Sequence, residues 1–269
     1  MHPRVRPTVL VTGATDGLGR GLAHALAARG ANVLVHGRDA ERGAAAIREI
    51  REATGSDRLQ LHLADFSSLE EVRRLAGELQ REHDRLDVLV NNAGVYLRRR
   101  QTSADGIELT FAVNYLAPFL LTHLLLGALR ASAPARIVNV ASAGQAPIDF
   151  ADPMLERGYD GFRAYAQSKL AQIAFTFELA ERLEPGIAVN ALHPATLMPT
   201  KMVREGFGRT HDSLEQGVAA TLRLALDERL DGVSGRYFDG ERESRAHRQA
   251  YDRAARRELW RLSERLCGL

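Results

Sequence analysis

The stretch TVLVTGATDGLG, residues 8–19, decides the fold of this 269-residue chain. Its first five residues are mostly apolar and β-branched, which predicts a short buried parallel strand. Gly13, Gly17 and Gly19 follow, and residues 18–29 then predict a helix. A glycine-rich turn between a strand and a helix is typical of a phosphate site, because glycine lets the backbone approach the anion and the first N–H groups of the helix attract it. A plain tight turn is the alternative.

The alternation of strand and helix continues along the chain. Further strands are predicted at residues 32–36, 59–63, 86–90, 135–140, 186–191 and 235–238, and the helices between them include 40–53, 68–83, 102–129 and 164–183. Such alternation is typical of parallel sheets, and no linker or internal repeat interrupts it. The sequence therefore predicts an α/β protein with a single-domain Rossmann fold over residues 1–269. We expect a doubly wound, mostly parallel sheet of about seven strands with helices on both faces.

Composition excludes several classes of function. The chain has 36 basic and 34 acidic residues, and this net charge of +2 gives no support for nucleic-acid binding. The single cysteine, Cys267, excludes an intramolecular disulfide and fits a reducing compartment. The first seven residues lack the apolar core of a signal peptide. No uninterrupted apolar run reaches the ~18 residues of a membrane span. We therefore expect a cytoplasmic protein without a membrane span.

The residues after the second strand indicate which dinucleotide the glycine turn would bind. An acidic residue about 20 positions after the glycines would accept the ribose 2′-hydroxyl of NAD. This chain has Arg38 there, and its guanidinium can pair with a 2′-phosphate and stack on adenine. Asp39 would repel that phosphate unless it caps the next helix, and Asp16 in the glycine turn adds no positive charge. NADP(H) is the preferred cofactor, and NAD(H) is the alternative.

Polar residues follow several of the predicted strands, at the edge where open parallel sheets bind ligands. Asp65 either accepts a hydrogen bond from an adenine amine or caps a helix. Asn91-Asn92-Ala93-Gly94 follow the fourth strand, Ser142 follows the fifth, and the sixth leads into His193-Pro194-Ala195-Thr196. Asn114 lies among apolar residues and needs partners for its amide. It either ties two backbone segments together or holds a water.

Tyr165 and Lys169 lie four positions apart at the start of a predicted helix. Positions i and i+4 lie on one face about 5–6 Å apart, so the ammonium can approach the phenol. A nearby cation lowers the pKa of a phenol from its usual value near 10, which would suit Tyr165 to proton transfer. Only Lys169 and Lys201 are lysines among the 36 basic residues, which suggests that an amine is needed at position 169. An ordinary surface pair is the alternative.

Together these motifs resemble the short-chain dehydrogenase/reductase superfamily over residues 8–238. Arg38 between Gly37 and Asp39, the 23-residue interval from Ser142 to Tyr165, and SGRYF at 234–238 are similar to its retinol dehydrogenase-like, NADP-using subgroup. The matching motifs are TGATDGLG at 12–19, Asp65, NNAG at 91–94, Asn114, Ser142, YAQSK at 165–169 and HPAT at 193–196.

The resemblance implies a role for each matching residue. Tyr165 would be the general acid in reduction and the base in oxidation, and Lys169 would lower its pKa and bind the nicotinamide ribose. Ser142 would hydrogen-bond the substrate oxygen, and Asn114 would hold a water linking Lys169 to solvent. No metal site is predicted. The cofactor-binding residues implied are Gly13, Thr15, Asp16, Gly17, Leu18, Gly19, Arg38, Asp65, Asn92, Ala93, Gly94, Tyr165, Lys169, Pro194 and Thr196.

The implied activity is hydride transfer between NAD(P)(H) and a carbonyl or an alcohol of a hydrophobic small molecule. Two positions depart from the family pattern, Ala141 in place of a serine and Ala195 in place of a glycine, and neither removes a catalytic group. The alternative is a member that has lost catalysis and binds the dinucleotide as a sensor or structural subunit. Because all four polar catalytic groups are present, the enzyme is favoured.

Three segments outside the motifs complete the predicted organisation. Residues 145–163 form a substrate loop, residues 197–210 form a lid, and residues 245–266 form a C-terminal helix that docks on the domain or on another subunit. The basic run Arg98 to Arg100 is interpreted as solvated surface. A homodimer or homotetramer is expected from the resemblance. The apolar residues expected to line the substrate pocket are Phe150, Met154, Leu155, Tyr159 and Phe162.

Overall fold

Eight strands form one twisted sheet in the computed structural model, which describes residues 6–269 apart from the side chain of Phe207. The strand order is β3-β2-β1-β4-β5-β6-β7-β8, and every pair is parallel except the last. The order reverses between β1 and β4, which is where open α/β sheets bind ligands. The strands are β1 (Thr8–Val11), β2 (Asn32–Gly37), β3 (Leu59–Leu63), β4 (Val88–Asn91), β5 (Ala135–Val140), β6 (Ile187–His193), β7 (Arg236–Asp239) and β8 (Arg242–Glu243).

Helices cover both faces of the sheet, and each face has its own apolar core. One core joins the sheet to α1, α2 and α8, and the other joins it to α3, α5 and α6. The predicted doubly wound fold is confirmed. The helices are α1 (Gly17–Ala27), α2 (Ala40–Thr54), α3 (Leu69–Glu82), α4 (Leu109–Phe111), α5 (Ala117–Ala131), α6 (Gly161–Arg182), α7 (Lys201–Phe207), α8 (Leu214–Leu226) and α9 (Arg253–Cys267).

The structure corrects several predicted elements. The sheet has an eighth strand, β8, whose two exposed residues carry no apolar signal. The helix predicted at 102–129 begins only at Leu109, because Thr102 pairs with Glu108 in an antiparallel bridge. A π-helical turn, Ala112–Leu116, then joins α4 to α5. The C-terminal helix begins at Arg253, after a separate 3₁₀ turn at Arg248–Tyr251.

The central helical segment also bears on the expectation of no membrane span. Among the described residues, Leu109–Ala131 alone is long and apolar enough to cross a membrane, with a mean hydropathy of 1.6. The sequence argument missed it because it required an uninterrupted apolar run. However, 78% of this segment's most apolar window is buried inside the fold, as in the core helix of a globular domain. It is therefore weak evidence for a span.

A chain of buried polar side chains fixes α6 against the sheet. The Asn91 amide donates to Asn139 Oδ1 at 2.8 Å, and the Asn139 amide donates to the Thr176 hydroxyl at 2.8 Å. Thr176 in turn donates to the carbonyl of Gln172. Asn91, Asn139 and Thr176 have no solvent exposure. Because buried polar groups are costly when unpaired, this chain permits one register between β4, β5 and α6.

We predict that Asn139→Ala lowers the free energy of unfolding by about 2–4 kcal/mol. The substitution removes one hydrogen bond from the Asn91 amide, which keeps its bond to Thr122, and one from the Thr176 hydroxyl, which keeps its bond to Gln172. Each lost partner of a buried polar group costs about 1–3 kcal/mol. Denaturant unfolding monitored by circular dichroism measures the change. Asn32→Ala is the control, because Asn32 makes only a 3.4 Å bond to Thr8 at a partly exposed position. Equal losses in the two variants would contradict the role of the chain.

Candidate active site

The glycine turn after β1 is held against the end of β4 by hydrogen bonds from Thr12 and Asn92. The Thr12 hydroxyl accepts from the N–H groups of Asn92 and Ala93 at 2.9 and 3.0 Å. The Asn92 amide donates to the carbonyls of Thr12 and Gly13. A Cβ on Gly19 would overlap both the Gly13 carbonyl and this amide, and a Cβ on Gly13 would lie 2.9 Å from Ala93 Cα. The glycines are therefore required by packing as well as by turn geometry.

His36 in β2 supports the same turn and was missed by the sequence analysis. Its Nδ1 accepts from the N–H of Gly13 at 3.1 Å, so the hydrogen is on Nε2, which donates to the carbonyl of Ala64 at 3.1 Å. The ring stacks on Phe66 with centroids 4.2 Å apart. Burial lowers the pKa of His36 to about 4, so the ring is neutral at physiological pH. Nothing in the local sequence pattern distinguishes this histidine from an ordinary strand residue.

The charges beside the glycine turn are arranged in favour of an anion. Arg38 is exposed, and its side chain has no ion pair or hydrogen bond within the described residues. Asp39 caps α2 by accepting from the N–H of Arg42 at 2.9 Å, as the cap alternative predicted. Asp16 caps α1 through Gly17 and pairs with the Arg42 guanidinium at 3.0 Å. Both carboxylates thus have partners, and Arg42 is a second cation that the sequence analysis did not identify.

Ser142, Tyr165, Asn114 and Lys169 lie together past the ends of β4 and β5. The Ser142 hydroxyl lies near enough to the Tyr165 phenol to act against the rise in its pKa, and it also accepts from the N–H of Gly144 at 3.0 Å. Asn114 lies in the π-helical turn and exchanges hydrogen bonds with the backbone of Val95. Its amide also donates to Ser168 at 3.0 Å. The tie between backbone segments is therefore observed.

Gly94 brings Asn114 and Lys169 into one small space. A Cβ on Gly94 would lie 3.3 Å from Asn114 Oδ1 and 3.6 Å from Lys169 Nζ. A residue with a side chain here would therefore separate the amide from the ammonium. The water held between Asn114 and Lys169 stays a prediction of the family resemblance.

The electrostatics of Tyr165 and Lys169 differ from the simple i,i+4 argument. Lys169 Nζ donates to the carbonyl of Val140 at 2.8 Å and to Gln172 Oε1 at 2.9 Å, and it lies 5.7 Å from the centre of the Tyr165 ring. Burial lowers the pKa of Lys169 to about 7. Burial also raises the pKa of the Tyr165 phenol, although the Ser142 hydroxyl acts in the opposite direction. In this arrangement burial outweighs the interactions that lower the pKa of Tyr165, and the lowering by Lys169 stays a prediction.

A lid lies over this cluster. The lid contains α7, and Thr200 caps this helix by accepting from the N–H of Val203. Thr200 also lies beside Gly17, because a Cβ on Gly17 would be 3.1 Å from the threonine methyl. Tyr96 packs edge-on against Tyr165 with ring centroids 5.9 Å apart. The Arg98 guanidinium donates to the carbonyls of Glu205 and Gly206 at 2.8 and 3.4 Å. This network connects the lid to the residues that follow β4.

The interpretation of Arg98 to Arg100 as solvated surface is confirmed for the exposed Arg98 and Arg99, whereas Arg100 is partly buried. Two of the three arginines also bond to backbone carbonyls. Arg98 holds the lid, and Arg100 Nε donates to the carbonyl of Met154 in the substrate loop at 3.2 Å. Tyr96 was also missed by the sequence analysis. Its only signal was its place two residues after NNAG, because its contact with Tyr165 exists only in the fold.

The predicted substrate loop divides into core and exposed residues. Leu155 is buried in the fold, and Phe150 and Met154 pack against the main apolar core. The Tyr159 hydroxyl donates to the carbonyl of Leu97 at 3.0 Å. Phe162 is 49% exposed, and its ring lies beside Gly144. Of the five predicted pocket residues, Phe162 is the one most available to a ligand near Ser142.

The remaining predicted cofactor residues lie at the same edge of the sheet. Asp65 accepts from the N–H of Ser67 at 2.9 Å, whereas Ser68 is the N-cap of α3. Pro194 is buried after β6, and the exposed Thr196 bonds to His193 Nε2 at 3.0 Å. Asp65 therefore shapes the turn before the helix without being its cap.

The fold and the position of these side chains at the carboxyl edge of the sheet define the class of dinucleotide-binding oxidoreductases. A model of the short chain dehydrogenase family matches residues 7–209, and the chain belongs to that family. It is similar to retinol dehydrogenase 13 of Mus musculus, with 42% identity over 97% of this chain and 84% of the relative. The chain is thus a retinol dehydrogenase-like member, and it carries out NAD(P)-dependent oxidoreduction.

Solved structures agree with this assignment. An uncharacterised protein of Mycobacterium paratuberculosis superposes with a TM-score of 0.81 and 30% identity, over 99% of this chain and 95% of that chain. A short chain dehydrogenase of Shigella flexneri 2a, solved in complex with NADP, superposes with a TM-score of 0.72 and 27% identity, over 87% of this chain and 97% of that chain.

We predict that Lys169→Met flattens the dependence of stability on pH. The pKa of Lys169 is about 7 in the folded protein, against an ordinary value of 10.5, so between these values the unfolded chain binds more protons. The free energy of unfolding of the wild type therefore rises with pH in this window, by up to about 1.4 kcal/mol per pH unit.

Denaturant unfolding at pH 7 and pH 9.5 measures this rise. Lys169→Met should lose most of it, while Lys201→Met should keep it, because the Lys201 side chain is 65% exposed. A rise that is unchanged in Lys169→Met would show that other groups cause it.

Proposed function

We propose that this protein is an NADP(H)-dependent oxidoreductase that interconverts carbonyls and alcohols of hydrophobic small molecules, with Tyr165 as general acid and base. The observation that carries the proposal is the buried amine of Lys169, 5.7 Å from the centre of the Tyr165 ring, with the Ser142 hydroxyl near enough to the phenol to act on its pKa. A serine and a tyrosine in this arrangement can both contact one substrate oxygen. Cytoplasmic location and assembly as a homodimer or homotetramer stay predictions of the sequence.

The residues around the glycine turn fit a dinucleotide. The missing Cβ atoms of Gly13 and Gly19 let the backbone pack closely. The N–H of Gly17 donates to Asp16, and the next N–H groups in the first turn of α1 have no intrahelical acceptor and can receive a pyrophosphate. Arg38 would bind the 2′-phosphate, with Arg42 compensating the charge of Asp16. When bound, the cofactor donates or accepts the hydride. The other residues that would hold it are Thr15, Gly17, Leu18, Asp65, Asn92, Ala93, Gly94, Tyr165, Lys169, Pro194 and Thr196.

In the reductive direction, the Tyr165 hydroxyl transfers its proton to the carbonyl oxygen as the carbonyl carbon becomes tetrahedral. The Ser142 hydroxyl donates a hydrogen bond to the same oxygen and stabilises its growing negative charge. In oxidation, Tyr165 takes the proton back. The Lys169 pKa of about 7 lets this amine change protonation near physiological pH, which suits it to return a proton toward the phenol. Asn114 would order a water on the path from Lys169 to solvent.

The apolar surface beside Tyr165 supports a hydrophobic substrate. Phe162 offers an exposed ring beside Gly144, and Tyr96 lies against Tyr165. A pocket of about 220 Å³ lies between the residues that follow β4 and the lid, and its lining is mixed because it includes the charged Arg98 and Glu205. It is lined by Tyr96, Leu97, Arg98, Met202, Glu205 and Gly206. Because a similar protein is named retinol dehydrogenase 13, retinaldehyde and retinol belong in the first substrate panel.

We predict that Tyr165→Phe lowers kcat/KM for aldehyde or ketone reduction by about 10²–10⁴-fold, because general acid catalysis typically contributes that much. Turnover is measured with a panel of aliphatic, aromatic and polyene carbonyls and with either cofactor, and fluorescence titration measures NADPH affinity. Tyr251→Phe is the control, since Tyr251 is 48% exposed and packs against Phe177, well along α6 from the motif. Unchanged turnover in Tyr165→Phe would refute the mechanism. NADPH binding without any turnover by the wild type would favour the sensor or structural subunit.

We predict that Arg38→Ala lowers the affinity for NADPH by about 10- to 100-fold and changes the affinity for NADH little. A hydrogen bond to a charged group contributes about 1.5–3 kcal/mol, and only NADPH carries the 2′-phosphate. Binding titrations with both cofactors give the ratio. Arg48→Ala removes an exposed arginine from α2 and serves as the matched control. Equal losses for NADPH and NADH in Arg38→Ala would refute the phosphate role.

A further inference from the structure

Two histidines and a glutamate converge where α3 ends beside the edge strand β3. His62 belongs to β3, Glu82 is the last residue of α3, and His83 caps that helix. One ligand atom from each side chain lies within 4.8 Å of the others, and this is the one such group found in the described part of the chain. The family resemblance assigns nothing to any of the three residues.

The His62 ring is oriented for coordination by a carboxylate behind it. Nδ1 lies 2.8 Å from Glu78 Oε1, and because a carboxylate accepts, Nδ1 carries the hydrogen. In the tautomer that binds a metal, the lone pair is therefore on Nε2. Arg74 donates to the other Glu78 oxygen at 3.1 Å and fixes that carboxylate in turn. A carboxylate that holds the outer nitrogen of a histidine is the usual support of a metal ligand.

The inner nitrogen of each histidine is buried without a partner. His62 is 2% exposed, and neither His62 Nε2 nor His83 Nε2 has a hydrogen bond. The rings face each other edge to face, with centroids 6.0 Å apart. Two buried ring nitrogens without a partner, on histidines that share one cluster, call for a ligand, since unpaired buried polar groups are costly.

We propose that His62 Nε2, His83 Nε2 and the Glu82 carboxylate bind a divalent transition-metal ion of the Zn²⁺ class, with water as the fourth ligand. Two imidazoles and one carboxylate form a donor set that Zn²⁺ accepts and that Mg²⁺ and Ca²⁺ do not prefer. Bonds of about 2.0–2.1 Å require the three atoms to close around the ion. Glu82 is exposed and His83 lies at the C-terminal end of α3, so both side chains can move enough to allow that closure.

The ion would brace the outermost strand of the sheet. β3 pairs only with β2, where His62 is the register partner of His36, and His36 supports the N–H of Gly13. Cross-linking β3 to the end of α3 would stabilise this edge without touching the reacting atoms. The proposal is independent of the proposed function.

The test uses the full chain after treatment with a chelator. Calorimetric titration with Zn²⁺ should give a stoichiometry of one ion per chain. Bound Co²⁺ should show the visible absorption of a tetrahedral site. Zn²⁺ should also raise the Tm of the protein, because it binds the folded state. A tenfold excess of Mg²⁺ should not compete. His83→Gln should lower the affinity for Zn²⁺ by more than about tenfold, because even changes to residues that only support the ligands lower metal affinity by about 10–100-fold. Glu82→Gln, at an exposed position that folding tolerates, should weaken it as well.

His24→Gln is the matched control, because His24 is exposed on α1. It should keep the wild-type affinity and Tm shift. Failure of the wild type to bind Zn²⁺ would overturn the proposal and leave a bridging water as the occupant. Equal affinity in the wild type, His83→Gln and Glu82→Gln would overturn it too, since the ion would then bind elsewhere.

Discussion

The close approach of two backbone segments at the ends of β1 and β4 is the constraint on which the site depends. Gly19 lies so near the Gly13 carbonyl and the Asn92 amide that no side chain fits. The Thr12 hydroxyl holds the two segments together through three hydrogen bonds to the backbone of Val90, Asn92 and Ala93. A strand order that reverses here leaves a crevice, and this contact determines its shape. His36 supports the crevice from β2.

Catalytic chemistry in this fold depends on burying groups that would be more stable in water. Lys169 is 4% exposed and holds its amine on a carbonyl and an amide oxygen, with its pKa lowered toward neutrality. Hydrogen-bonded polar neighbours compensate for part of this cost, in particular the chain from Asn91 through Asn139 to Thr176. That chain fixes α6, and α6 carries both Tyr165 and Lys169. Stability and reactivity are therefore coupled through one helix.

The lid and the substrate loop are held in place by arginine side chains that donate to backbone carbonyls. Arg98 holds the lid through Glu205 and Gly206, and Arg100 holds the substrate loop through Met154. The C-terminal helix docks through carboxylates, because the buried Arg256 pairs with Glu178 at 3.2 Å and with Glu181. The expected docking of this tail on the domain is therefore what the structure shows. Arginine suits these contacts because its planar fork donates in several directions.

The sequence by itself determined the doubly wound fold, the glycine turn and the set of residues at the strand ends. Those features follow from local periodicity and from glycine spacing, which need no knowledge of distant contacts. Only the tertiary structure decided the roles of His36, Tyr96 and Arg98, whose partners lie 23 to 108 positions away in the chain. It also decided the state of Lys169, since a pKa depends on burial and on all neighbours, whereas sequence spacing shows one neighbour. The pairing of His62 with His83 arises in the same way, because a strand and a helix end meet only in the fold.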